Sequence, residues 1–316
     1  MTNRATPDAV VVSSGTVAGV RPHATRAYAA LISVCFFWGT TYLGIRMALE
    51  SFPPLALVAI RFTISGSLML AVAYFMGAHL PKGRELWTTA LVGVMLLGGA
   101  NTALVFAETW IPSGLAALFV AVSPFWLVGI ESLIPGGGRL YPATVLGLFF
   151  GLAGAALLVS SDISNQSAGR LALHGFLLLQ LGNACWAAGS IWHRRQAPLA
   201  HPIVSGAVQQ LAAGLAVAPL ALAAHGHPIV PSVRGISALV YLIIFGSIVG
   251  YSSYIYALSH LSVAVVSIYP YVNPVVAVVL GWFFYREAFG IREALAMLVI
   301  FTGVAIVKRY SPAHDP

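Results

Sequence analysis

The chain has 316 residues, 59% of them hydrophobic and only 8% charged, with a formal net charge of +7. Soluble domains carry about a quarter of their residues as charges, so with a mean hydropathy of +0.88 a water-soluble fold is excluded and a polytopic membrane protein is expected. The basic residues are spread through short connections rather than gathered in one block, which speaks against nucleic acid as a partner and for the lipid bilayer.

Residues 1–26 are polar, small and loosely basic without an apolar centre, and read as a disordered tail. A cleaved signal is not expected, because the first hydrophobic run starts late and has full spanning length. A span needs about 20 apolar residues. Ten windows meet this: 28–49, 54–76, 86–107, 113–134, 141–160, 171–192, 202–223, 236–258, 262–284 and 291–307, followed by a tail over 309–316. The seventh, interrupted by Gln209 and Gln210, fits least well. Cys35 and Cys185 both fall inside hydrophobic windows and read as buried thiols.

With the N-terminus inside, the inner segments carry ten Lys or Arg and the outer ones four, leaving Arg46 and Arg61 within spans. The positive-inside rule therefore favours both termini in the cytoplasm of a multi-pass inner (plasma) membrane protein. The sequence calls for no large assembly; a monomer or weak dimer is expected.

The chain also repeats itself. At an offset of 148, Trp38 meets Trp186, Arg46 meets Arg194, Pro54 meets Pro202 and Gly66 meets Gly214. Near that offset, Ala107 meets Ala257, Gly154 meets Gly303 and Pro124 meets Pro274. The repeat holds five spans, an odd number, so the second half enters the membrane from the opposite side. The fold expected is all-α: ten transmembrane helices as two inverted five-helix repeats, with broken helices at Pro124 and at Pro270 and Pro274. That pattern is the signature of a secondary transporter with its site near the midplane.

Aromatic and amide residues supply the candidate site. Trp38 and Tyr42 share one face of the first window, and Asn183, Trp186 and Ser190 one face of the sixth. Asn101 is mid-window in the third, Ser123 precedes Pro124 in the fourth, and Tyr251 and Tyr254 lie in the eighth. Tyr269 and Asn273 are one turn apart in the ninth, beside Pro274. Each ring alone could be ordinary packing, but polar groups recurring on several spans suit a pocket for a small amphipathic solute. Arg61, inside the second window, has two readings: a carboxylate contact in the pathway, or an arginine bonded to backbone carbonyls or reaching the interface.

Arg46 and Glu50, spaced i, i+4, read as a weak surface pair. Glu108 and Glu131 fall near window ends, so no carboxylate lies plainly at mid-span, which counts against a buried Asp/Glu proton relay. Gly147–Gly151 and Gly246–Gly250 read as close-packing pairs. Pro135 with Gly136–Gly138 reads as a loop, not a phosphate cradle. The nine His show no metal spacing and there is no nucleophile elbow, so neither an enzyme, a metal nor a cofactor is expected. His193, near the inner mouth, is the histidine to test for pH dependence.

Phe37-Trp38-Gly39-Thr40-Thr41-Tyr42, Pro53-Pro54 and Ala59-Ile60-Arg61-Phe62 together resemble the opening of the EamA-type repeat of the drug/metabolite transporter superfamily. Ser123-Pro124, Asn273-Pro274, and Arg286-Glu287 followed by Gly303-Val304-Ala305 resemble its later motifs. The resemblance covers 28–160 and again 171–308. It implies two inverted halves working by alternating access, and a small-molecule cargo, often an amino acid or a toxic compound, moved outward. It implies as cavity residues Trp38, Tyr42, Asn101, Ser123, Pro124, Trp186, Tyr254, Tyr269, Asn273 and Pro274. A proton-coupled efflux pump for cationic drugs is the alternative, and a channel a weaker one. The first half lacks a counterpart of Arg286-Glu287, and the second has Gln209 where the first has Arg61.

Overall fold

The computed structural model describes residues 22–135, 142–160, 166–196, 200–224, 228–261, 263–266, 269–287 and 289–310. The expected tails and the loop glycines Gly136–Gly138 lie mostly or wholly outside these residues. Among the described residues the fold is all-helical. The first repeat runs α1 (Pro22–Leu49), α2 (Pro54–Phe75), α3 (Gly83–Gly93), a π-helical segment (Val94–Ala100), α4 (Asn101–Ala107), α5 (Ser113–Val120), α6 (Ser123–Leu133) and α7 (Pro142–Ser160). The second runs α8 (Gln166–Gln196), α9 (Pro202–Ala223), α10 (Val233–Tyr241), a π-helical segment (Leu242–Val249), α11 (Gly250–His260), α12 (Val263–Val266), α13 (Tyr269–Tyr285) and α14 (Ile291–Tyr310).

Local chemistry sets the boundaries. α2 and α9 each begin with a proline in the first turn, where a missing N–H costs nothing. Ser232 caps α10, its hydroxyl accepting from Gly235 N at 3.0 Å. The two π-helical segments start 148 residues apart, the offset of the sequence repeat. A wide turn of this kind is rare, tends to mark functional sites and shifts the face that follows it.

Seven helices among the described residues are long and apolar enough to cross a membrane. The windows at 141–160, 262–284 and 291–307 carry α7, α12 with α13, and α14, which are not among the seven. In the ninth, α13 has 17 residues. Large apolar side chains such as Phe75, Leu133 and Leu222 are more than four-fifths exposed, as in helices whose solvent is lipid.

The two repeats pack through matched elements: α2 lies along α9, and α7 along α14. A methyl at Gly66 would lie 2.7 Å from Leu211 Cα, and one at Gly214 would lie 2.9 Å from the carbonyl carbon of Phe62. The contact is self-complementary, as an approximate two-fold relation between the halves demands. Gly303 likewise lies so close to α7 that a methyl there would sit 2.6 Å from Gly147 O, so this glycine pair serves close packing. Gln209 and Gln210, which made 202–223 the least apolar window, are fully buried and hydrogen-bonded, which is how α9 tolerates them.

Two expectations about broken helices change. The fourth window does break, at Ala121–Val122, and Pro124 starts α6. In the ninth, Asn273 and Pro274 lie inside α13 and Pro270 in its first turn, while residues 267–268 lie outside the described residues. Pro270 occupies the first turn of α13, a position that tolerates it; Pro274 is accommodated within the helix.

Candidate functional site

A chamber of about 100 Å³ lies where the repeats meet. Trp38 is its central side chain. Its Nε1–H donates to Gly246 O at 3.0 Å. Its ring centroid lies 5.8 Å from Trp186, 5.1 Å from Tyr254 and 5.1 Å from Tyr269. Trp38 and Trp186 are repeat mates, so the structural symmetry brings the same aromatic from each half to one wall. A methyl at Gly250 would lie 2.7 Å from Trp38 Nε1, and one at Gly246 would lie 2.8 Å from Arg61 Nη2. The Gly246–Gly250 pair therefore makes room for side chains, where helix packing had been expected.

The polar groups come from both repeats. Arg61 is 5% exposed and lines the chamber. Its Nε donates to Ser247 Oγ at 2.8 Å and its guanidinium lies 4.9 Å from the Phe62 ring centre. None of the described carboxylates is within ion-pair distance of it. Gln210 donates to Ser247 O at 3.3 Å and accepts from Ser65 Oγ at 2.5 Å. Asn183 donates to Phe119 O at 3.2 Å, so this carbonyl at the end of α5 already has a partner. The amide of Asn273, oriented to satisfy its neighbours, donates to Tyr269 O (3.1 Å) and Cys35 O (2.9 Å), tying α13 to α1.

The chamber brings together Trp38, Tyr42, Arg61, Asn101, Ser123, Asn183, Trp186, Tyr269 and Asn273. A second cavity of about 70 Å³ shares Ser123, Trp186, Tyr251 and Tyr269 with it, and adds Pro124 and Tyr254. It runs on past Ser190 and His193 to Arg194. Pro274 lines neither, and Tyr271 packs against Phe301. Sequence reasoning did not place Ser247 or Gln210 in the chamber. A glutamine pair in an otherwise apolar window was the available signal for Gln210; Ser247 had none beyond its neighbouring glycines.

The two ends of the chamber are closed differently. At one, Arg46 Nη1 meets Glu287 Oε1 at 3.0 Å. Glu287 Oε1 also accepts from Ser113 N (3.1 Å) and Ser113 Oγ (2.9 Å), and Oε2 from Gly114 N (3.1 Å). A carboxylate at the start of α5 is stabilised by the free N–H groups there. Beside it, Glu50 pairs with Arg234 at 3.6 Å and accepts from Tyr285 Oη. The expected Arg46–Glu50 pair is thus replaced by contacts from each residue to the other repeat. At the opposite end Arg194 meets Glu131 at 2.8 Å, with both side chains 35% exposed.

The sequence matches the model of the EamA-like transporter family over residues 25–160 and again over 173–309. The chain belongs to the EamA-like transporter family. It is 36% identical over 285 residues to the uncharacterized inner membrane transporter YedA of Escherichia coli K12, covering 89% of this chain and 90% of that one. It is 26% identical over 289 residues to a protein of Streptantibioticus cattleyicolor named as a probable terminal-alkyne amino-acid exporter, covering 90% and 94%. A crystal structure 23% identical in sequence superposes with a TM-score of 0.66 over 92% of this chain and 98% of that one, a likeness of fold. EamA proteins are transporters, not enzymes, and the two matched segments are the two repeats of the family architecture.

Proposed function

We propose that this EamA protein is a secondary transporter that exports small metabolites, amino acids or related compounds, by alternating access. The observation that carries the reading is the meeting of Trp38 and Trp186 at a chamber whose one cation, among its described lining residues, is buried Arg61. A guanidinium can hold a carboxylate bidentately while the aromatic wall takes an apolar side chain. The relative named as an amino-acid exporter supports the same solute class.

In this reading ten helices cross the membrane as two inverted five-helix halves with both termini cytoplasmic. Trp38, Tyr42, Asn101, Ser123, Asn183, Trp186, Tyr269 and Asn273 contact or orient the solute. Pro124 and Tyr254 line its path toward the Arg194 end. The halves rock about the chamber, with the fourth and ninth spans as gates. An aromatic wall also suits organic cations, but Arg61 within it opposes them.

The test is counterflow of labelled amino acids in liposomes. Wild-type protein is expected to exchange at least one of them, and Trp38→Ala and Asn273→Ala to exchange it more slowly. Counterflow with none of the amino acids, or equal rates in both variants, contradicts the reading.

A further inference from the structure

Glu108 follows α4 directly, one turn beyond Leu104 of the chamber wall. It is 5% exposed, and neither carboxylate oxygen has a hydrogen-bond partner among the described residues. The hydroxyls of Thr102 and Ser205 share that condition, but a hydroxyl in this state is merely unpaired. An ionised carboxylate with no partner in such a place costs far more than a neutral one. The sequence had suggested that the protein lacks a buried acid; the fold supplies one by covering the end of a helix.

Its surroundings connect it to the closed end. The charges that act on it are Glu287 beyond α13, Arg46 on α1 and Arg61 on α2. Tyr42 on α1 feels it in turn and lines the chamber. From α8, His174 lies edge-on to Trp110, two residues further along. Along the chain Glu108 lies between Leu104 of the chamber wall and Ser113 and Gly114, which hold Glu287. A negative charge on Glu108 would repel Glu287 and compete with it for Arg46.

We propose that Glu108 is a proton-binding site whose occupancy decides whether the Arg46 end is closed. With that end closed, Glu108 is a neutral carboxylic acid. When the end opens and water reaches it, the O–H bond breaks, the proton passes to water, and a carboxylate remains that weakens the Arg46–Glu287 contact. Closing reverses the step and takes up one proton from that side. The sign follows: protonation favours the closed form, and the open population rises with pH by up to about tenfold per unit. The inference rests on the alternating-access reading but not on the identity of the solute.

Two measurements on the full-length protein in lipid test it. Infrared difference spectra across a pH step should show the C=O stretch of a protonated carboxyl in the wild type. That band should be lost in Glu108→Gln, shifted in Glu108→Asp and kept in Glu131→Gln. Amide exchange over residues 107–114 and 283–287, corrected for the intrinsic effect of pH, should rise with pH in the wild type by up to about tenfold per unit. In Glu108→Gln it should stay at the slow, acid-form rate. A carboxyl band unchanged by both Glu108 substitutions, no titrating band, or the same pH dependence of exchange in Glu108→Gln would overturn the proposal. None of these readouts requires a transported solute, so a failed amino-acid counterflow assay would leave this test intact.

Discussion

Arg46 and Arg194 are repeat mates, yet they close the two ends of the protein in different ways. Arg46 meets a carboxylate that is only 9% exposed and that also accepts three hydrogen bonds from the first turn of α5. Arg194 meets Glu131 with both side chains 35% exposed, and the second cavity runs up to it. Equivalent positions in a repeat thus need not do equivalent work. The second repeat supplies Glu287 to the first at one end, whereas at the other the carboxylate comes from α6 and is left in water. One end is held by a buried, multiply bonded carboxylate and the other by a partly exposed pair.

The largest effect should come from removing the shared acceptor. Glu287→Ala leaves Arg46 and the α5 amides without it and should weaken the closed end by about 3–5 kcal/mol. Faster amide exchange in the first turn of α5, with the Arg194 end unchanged, is the expected record. Next is Gly250→Ala, whose methyl would press on Trp38 from 2.7 Å. Overpacking there should cost about 1–3 kcal/mol and lower the melting temperature of the purified protein. Gly129→Ala, with nothing within 4 Å of its new methyl, should leave the melting temperature unchanged or raise it slightly. Smallest is Arg194→Ala, which breaks an exposed pair worth about 0–1 kcal/mol. If its effect on amide exchange equalled that of Glu287→Ala, the contrast between the ends would be wrong.

What the sequence revealed depended on the range of the physics. Apolar length is a local property, and it located the helices, including α9 despite Gln209 and Gln210. The repeat was legible because Trp, Arg and Pro matches are rare in so apolar a chain, and it anticipated that α2 and α9 would carry matched glycines. Ion pairing was not legible. Arg46 and Glu50 satisfy the local i, i+4 rule, but each pairs with a partner more than 180 residues away. Pro270 and Pro274 do not interrupt α13, because a proline stops a helix only where its missing N–H is needed. Pro270 sits where it is not, and Pro274 lies inside α13. Glu108 fell near a window end, where the sequence does not tell burial, because burial at a helix end depends on which other elements fold over it.

The central claim is that one chamber is reached from the Arg46 end and the Arg194 end in turn. Spin-label distances in the reconstituted protein test it most directly, with native Cys35 and Cys185 replaced by alanine. One label pair replaces Thr109 and Arg286 at the Arg46 end, the other Leu133 and Arg195 at the Arg194 end. Two distance populations are expected at each end, with conditions that lengthen one pair shortening the other. A single fixed distance at both ends, or both pairs lengthening together, would contradict alternating access.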